Sequence, residues 1–279
     1  MRIKRNLRES IIKMEFEQDI HPTAIVHPQA KLDENVKIGP YSLIGKSVEI
    51  GSGTEVGSHV NITGHTRIGK SNKIFHYSSI GEQPQDMKYK GQETFLEIGD
   101  RNTIREFCTL NTGTVEGNHK TSIGNDNWIM AYVHIAHDCV VKNNIVLANS
   151  VTLAGHVEID DFVVLGGLTA IHQFCKIGAH VITMGGTLLS QDVPPYVRAV
   201  SRGGNAFPNG INSEGLKRRG FSAEAILDIK KGYRSIYMKE NSIDQAKIEL
   251  EELEKSSKEV GLYLDFIERS KRGLIRLSG

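Results

Sequence analysis

Every sixth residue from Ile20 is aliphatic: Ile20, Val26, Leu32, Ile38, Ile44, Ile50, Val56, Ile62, Ile68, Ile74 and Ile80. If Ile, Val and Leu fill roughly a quarter of a chain, that run arises by chance less than about once in a million. The phase continues at Ile98, Ile104 and Leu110. It resumes one residue out of step at Ile123 and runs through Ile129, Ile135, Val141, Leu147, Leu153, Ile159, Leu165, Ile171 and Ile177; Thr183 breaks it and Leu189 restores it. Glycine often comes next, as at Gly39, Gly45, Gly51, Gly57, Gly124 and Gly166. An amphipathic helix needs a period near 3.6, which is missing here. A period of six marks an all-β parallel β-helix. Each hexad is a short strand plus a corner, and three hexads close a triangular lap of about 18 residues. The aliphatic residue and the one four later point inward, and glycine supplies permissive backbone at the turn. Laps stack at about 4.8 Å. Spacing leaves the hand open, and the general rule for parallel crossovers is right-handed.

The repeat spans residues 20–195, with loops near 82–97 and 111–122 where the hexads are interrupted. Insertions in a solenoid emerge as loops, often on the binding face. After Pro194-Pro195 the period stops, and residues 196–279 read as a C-terminal helical domain. One helix runs from Phe221 with Ser222 as its N-cap, a second from Ser242, and a third ends near Arg272. Such a tail covers the strand edges of the last lap. Residues 1–19 read as a mobile N-terminal extension, with Met14 a candidate start.

With 34 basic and 33 acidic side chains, the net charge of +1 argues against bulk binding to nucleic acid. No apolar run approaches the roughly 18 residues of a membrane span, and the N-terminus lacks a secretory h-region. A cytoplasmic protein without stable membrane insertion is expected. Cys108, Cys139 and Cys175 each fall four residues after a hexad start and are expected to be small core hydrophobes.

The string VHIAHDCV holds His134, His137 and Asp138. Stepping by laps places His137, His156 and His172 in three successive hexads of one face, with His134 near the same edge and Gly155 directly above His137. Three uses are open: filling polar gaps, binding zinc, or moving a proton. Zinc needs ligands converging at about 2.0–2.1 Å, and the three histidines occupy different places in their hexads. A neutral imidazole is the usual general base near pH 7. Asp138 could orient it, but neighbours in a strand point oppositely, so that pairing needs a corner conformation.

The motifs HIAHDC, LAGH, AIHQFCKIGAH, QDVPPYV and EGLKRRGF, in order around the repeat, resemble those of the UDP-N-acetylglucosamine O-acyltransferases of lipid A synthesis. The resemblance runs from about Ile20 to Arg276. It implies a left-handed β-helix that forms a homotrimer with clefts between subunits. It implies transfer of an R-3-hydroxyacyl chain from acyl carrier protein to the 3-hydroxyl of UDP-N-acetylglucosamine, without a metal or organic cofactor. His137 matches the general base, Asp138 its partner, and Gly155 the oxyanion donor. Gln85, Asp86, Lys88, His134, His156, His172 and Gln173 match substrate contacts. Asn212, Glu214, Arg218 and Arg219 match the nucleotide and phosphate end. Gly185 matches the acyl-chain ruler, where a bulkier residue shortens the groove. Many members have histidine where this chain has Asn111, which cannot carry a proton. Lys217-Arg218-Arg219 and the basic run Arg269–Arg272 could steer an acidic carrier protein. The rival readings are the sister N-acyltransferase acting on a sugar amine, a hexapeptide-repeat zinc hydratase, and a non-catalytic scaffold.

Overall fold

Three hexads make one lap in the computed structural model, which describes residues 19–202, 204–239 and 241–277. Each hexad contributes a strand of two to four residues. Strands of successive laps pair in parallel, Ile25 with Leu43 and Thr152 with Ala170 for example. The strands form three sheets of nine, eight and ten strands, the faces of a triangular prism. The first face runs from Ile25–Val26 to Leu188–Leu189, the second from Lys31–Leu32 to Lys176–Ile177, and the third from Lys37–Ile38 to Asn205–Ile211. The fold is a left-handed parallel β-helix followed by helices. The right-handed rule depends on twisted strands feeding long crossovers. Two-residue strands joined by short corners carry little twist to impose it.

The aliphatic hexad residues fill the prism, with Ile62, Ile80, Ile104, Leu110, Ile135, Leu153 and Leu165 fully buried. The residues four later are buried beside them, the three cysteines included. These cysteines are free, and burial pushes the Cys108 and Cys139 thiols up to about 12 and that of Cys175 to about 11. Such thiols are inert packing groups.

The hexad glycines do a different job from the one expected. Gly39, Gly51, Gly69 and Gly99 do not have left-handed backbone; a Cβ on any of them would strike the backbone of the next lap's glycine, at 2.6–2.7 Å. They permit close stacking. The left-handed corner residue lies three places after the aliphatic one and is seldom glycine: Asp126, Tyr132, Asp138, Asn144, Ser150, His156, Phe162, Leu168, Phe174 and His180 all have φ near +60°. Where this position is aromatic, rings stack from lap to lap. Tyr41, His59, Tyr77, Phe107 and Tyr132 form such a ladder at the corner between the third and first faces, with centroids 4.9–5.2 Å apart.

Both interruptions emerge at the corner between the first and second faces. One joins strand Ser79–Glu82 to Phe95–Ile98, the other Thr109–Asn111 to Lys120–Ile123. Ile68 nevertheless pairs with Ile98, and Ile98 with Ile123, so the faces stay in register. The second loop accounts for the one-residue slip in the hexad phase.

The region after Pro195 is not helical from its start. Val197–Arg202 adds in parallel to the third face, and Asn205–Ile211 folds back on it antiparallel. The open edge of the last lap decides this, because unpaired strand groups demand partners. Helices follow: α1 (Ser213–Arg218), α2 (Ala223–Tyr237), α3 (Ile243–Glu254) and α4 (Gly261–Arg269). Ser222 caps α2 by accepting from the Ala225 N–H. Buried Asp192 ties the tail to the prism, accepting from the N–H groups of Lys176, Lys271 and Arg272 and from Ser270 Oγ. Of the expected N-terminal extension, residues 1–18 lie outside the described residues; the Asp19 carbonyl accepts from the Ile38 N–H.

Candidate active site

The corner that carries both loops also carries the histidines. His134 begins a first-face strand and its Nδ1 meets Thr109 Oγ1 at 2.7 Å. Burial, then the charge of His137, lowers its pKa. His137 follows at the corner and is 7% exposed. Asp138 takes the left-handed conformation, φ +59°, and this turns its carboxylate back onto its neighbour. His137 Nδ1 and Asp138 Oδ2 are 2.9 Å apart. The corner thus supplies what an extended strand could not. With Nδ1–H donated to the carboxylate, Nε2 is the nitrogen left to accept a proton.

Gly155 lies one lap on. A Cβ there would stand 2.6 Å from His137 Nε2 and closer still to Cε1, so the imidazole rests against bare backbone. Among the described residues no protein group accepts the Gly155 N–H.

The Asp138 carboxylate is held from the other side by the second loop. The Thr114 N–H reaches both oxygens at 3.1 Å, Thr114 Oγ1 donates to Oδ2 at 2.6 Å, and the Asn118 N–H donates to Oδ1 at 3.0 Å. Burial pushes the Asp138 pKa up, but the bonds from His137 and Thr114 and the charge of His156 together outweigh it, and the carboxyl is held below its usual range. Thr121 Oγ1 accepts the Asp138 N–H at 2.8 Å. Thr114, Asn118 and Thr121 are the residues that sequence reasoning missed. Their only signal is the thirteen-residue step from Leu110 to Ile123, which places a loop beside this corner.

His156 packs edge-on against His137, centroids 5.1 Å apart, and its Nε2 is 3.8 Å from Asp138 Oδ2. It stacks on Phe174 at 4.3 Å. Burial lowers its pKa, opposed by Asp138 and, more weakly, by Asp86. The first loop therefore brings Asp86 toward this corner, with Gln85 and Lys88 exposed beside it. His172 does not join the cluster: it is exposed, and its Nδ1 meets only the Gln173 carbonyl, at 3.2 Å. The expected trio of histidines is replaced by His137, Asp138 and His156, because a lap of 18 sets Gln173 above Gly155 and His172 above Ala154. Asn111 is buried and its Nδ2 donates to the Glu82 and Gln83 carbonyls, tying one loop to the other.

The expected nucleotide-end residues lie at a different corner, between the second and third faces. Asn212 is buried; its Oδ1 caps α1 at Gly215 N–H and its Nδ2 donates to the His180 carbonyl at 3.0 Å. Arg219 turns inward, donating to the Phe162 carbonyl at 2.9 Å with its guanidinium over the Phe162 ring. Glu214 and Arg218 are exposed, Glu214 pairing with Lys217 at 2.9 Å. Asn212 and Glu214 line a groove of about 600 Å³ with Arg198, Lys230, Tyr233 and Arg234. Gly185 is exposed, and a Cβ there would touch only the Gly167 carbonyl, at 3.3 Å.

His137, Asp138 and His156 offer donor atoms within 4.8 Å of one another. The Asp138 oxygens, however, already take the Thr114 and Asn118 donors, and His137 Nδ1 is committed to Asp138. That arrangement suits an oriented base better than a zinc ligand set.

Fold and corner together define a hexapeptide-repeat transferase, and residues 29–64 and 120–155 match the family model described as bacterial transferase hexapeptide (six repeats). Residues 192–275 match the second domain of UDP-N-acetylglucosamine O-acyltransferase. The acyl-[acyl-carrier-protein]–UDP-N-acetylglucosamine O-acyltransferase of Janthinobacterium sp. (strain Marseille) is 59% identical over 261 residues, covering 92% of this chain and 99% of that protein. The enzyme of the same name from Thiobacillus denitrificans is 56% identical over 257 residues, covering 92% of this chain and 99% of that protein. Among solved structures, LpxA from Acinetobacter baumannii superposes with a TM-score of 0.89 at 44% identity, covering 93% of this chain and all of that one. The UDP-N-acetylglucosamine acyltransferase of Francisella novicida superposes at 0.91 with 43% identity, over 93% of this chain and 95% of that one. The chain belongs to the acyl-[acyl-carrier-protein]–UDP-N-acetylglucosamine O-acyltransferase family.

Proposed function

We propose that this chain transfers an R-3-hydroxyacyl group from acyl carrier protein to the 3-hydroxyl of UDP-N-acetylglucosamine, the first step of lipid A synthesis, with His137 as general base. One observation carries the assignment: His137 Nδ1 is bound to a buried carboxylate while its Nε2 edge lies against Gly155. Nε2 takes the hydroxyl proton as the sugar oxygen attacks the thioester carbonyl. Asp138 stabilises the imidazolium so formed. The Gly155 N–H receives the tetrahedral oxyanion, a contribution of about 3–4 kcal/mol in comparable sites. The carbon–sulfur bond then breaks and the proton passes from Nε2 to the departing sulfur. Nucleophile and thioester carry the reactivity, so orientation and charge stabilisation suffice without a cofactor.

Gln85, Asp86, Lys88, His134, His156, His172 and Gln173 line the sugar and acyl side, and Glu214 and Arg218 meet the nucleotide. Asn212 and Arg219 serve by holding α1 in place. The two groups stand at different corners of one prism, so a complete site takes its nucleotide end from a neighbouring subunit. That arrangement supports a homotrimer, for which we propose a cytoplasmic location. Among the described residues no helix is long and apolar enough to cross a membrane.

The test is acyl transfer with carrier proteins of several chain lengths, offering UDP-N-acetylglucosamine or the 3-O-acylated glucosamine as acceptor. His137→Ala lowers turnover at least about a hundredfold with the fold intact. Near-native turnover in that variant ends the base assignment, and acylation of the amine alone would favour the sister reaction.

A further inference from the structure

We propose that the second loop, residues 111–122, positions the acid–base pair, with Thr114 as its principal residue. This rests on His137 being the base.

The corner of the repeat turns Asp138 toward His137, but the backbone conformation alone leaves the plane of its carboxylate free to rotate. The loop supplies that orientation. Thr114 gives one N–H to both oxygens and its hydroxyl to Oδ2, the oxygen that also meets His137 Nδ1. The Thr114 donors set the carboxylate plane, and the plane sets the imidazole rotation. Asn118 N–H takes the second oxygen. The loop is stiff enough for this: its Gly117 and His119 N–H groups both donate to the Thr114 carbonyl. It also presses close, since a Cβ on Gly117 would stand 2.6 Å from Asp138 Oδ2. Thr121 holds the Asp138 backbone, and Asn111 anchors the loop to the start of the first loop. A plain hexad places none of these groups here.

The titratable groups facing the pair are His134 on its own strand, His156 on the next lap and Asp86 from the first loop. Of these, His156 comes near Oδ2, its Nε2 standing 3.8 Å away, beyond hydrogen-bond reach.

The experiment compares Thr114→Val, Thr114→Ser and His137→Ala in steady-state acyl transfer with acyl carrier protein and UDP-N-acetylglucosamine. Thr114→Val is expected to lower kcat about tenfold or more while leaving both KM values within about twofold. Thr114→Ser restores kcat to within about threefold, because the hydroxyl returns. Native kcat in Thr114→Val, or equal losses in Val and Ser, overturns the proposal. If His137→Ala keeps native turnover, the base assignment itself fails. If it is inactive while Thr114→Val is native, only the positioning role fails.

Discussion

Adding one methyl group at Gly155 tests the geometry of the base directly. The new Cβ would lie 2.4 Å from His137 Cε1 and 2.6 Å from Nε2, and ordinary contact begins at 3.4 Å, so the ring must retreat by about 1 Å. Retreat stretches the 2.9 Å bond to Asp138 toward the length at which no hydrogen bond remains. A misplacement near 1 Å costs about a hundredfold in rate, or about 2.7 kcal/mol of barrier. Gly155 does not have left-handed backbone, so alanine fits its conformation and the fold should survive. The assay is steady-state transfer for Gly155→Ala, His137→Ala and the double variant, with melting temperatures alongside. Gly155→Ala should lose about a hundredfold in kcat, and adding it to His137→Ala should cost far less, because the ring it displaces is gone. Native kcat in Gly155→Ala, or full additivity in the double variant, would refute the contact as the basis of the effect.

Gly185→Met fills open space beside the Gly167 carbonyl and is expected to shift preference toward shorter acyl donors; an unchanged chain-length profile counts against the ruler. His180 is buried between Phe162 and Tyr196, and burial, then the charge of Arg219, lowers its pKa to about 4. A histidine held neutral in this way contributes stability above its unfolded pKa near 6.5, and that contribution is lost as pH falls through about 4. His180→Phe should therefore lose less stability than the native chain between pH 7 and pH 4, by about 3 kcal/mol at most; parallel urea melts at both pH values would disprove the buried neutral state.

The lap was legible because side chains 18 apart meet, and that alone brought His137 and Gly155 together. It did not distinguish a glycine needed for its backbone from one needed for its missing side chain, so the corner residue went unassigned. Left-handedness came from likeness to a family, since spacing is the same in either mirror image. Thr114 and Asn118 were invisible because a loop has no phase to extrapolate. The strands at 197–211 answer to an open edge built by residues far earlier in the chain. Asn212 and Arg219 showed their anchoring roles only when their side-chain directions were known.

The two insertions share a corner, and neither disturbs the pairing beyond it: Leu110 meets Ile135 as squarely as Leu153 meets Ile171. The frame and the segments that overhang it are therefore separable in this protein. The prism keeps time by rungs rather than by residue count, so the overhanging segments are free to lengthen, shorten or change chemistry without retuning the frame below. Change in either overhanging segment would leave the stacked frame as it is.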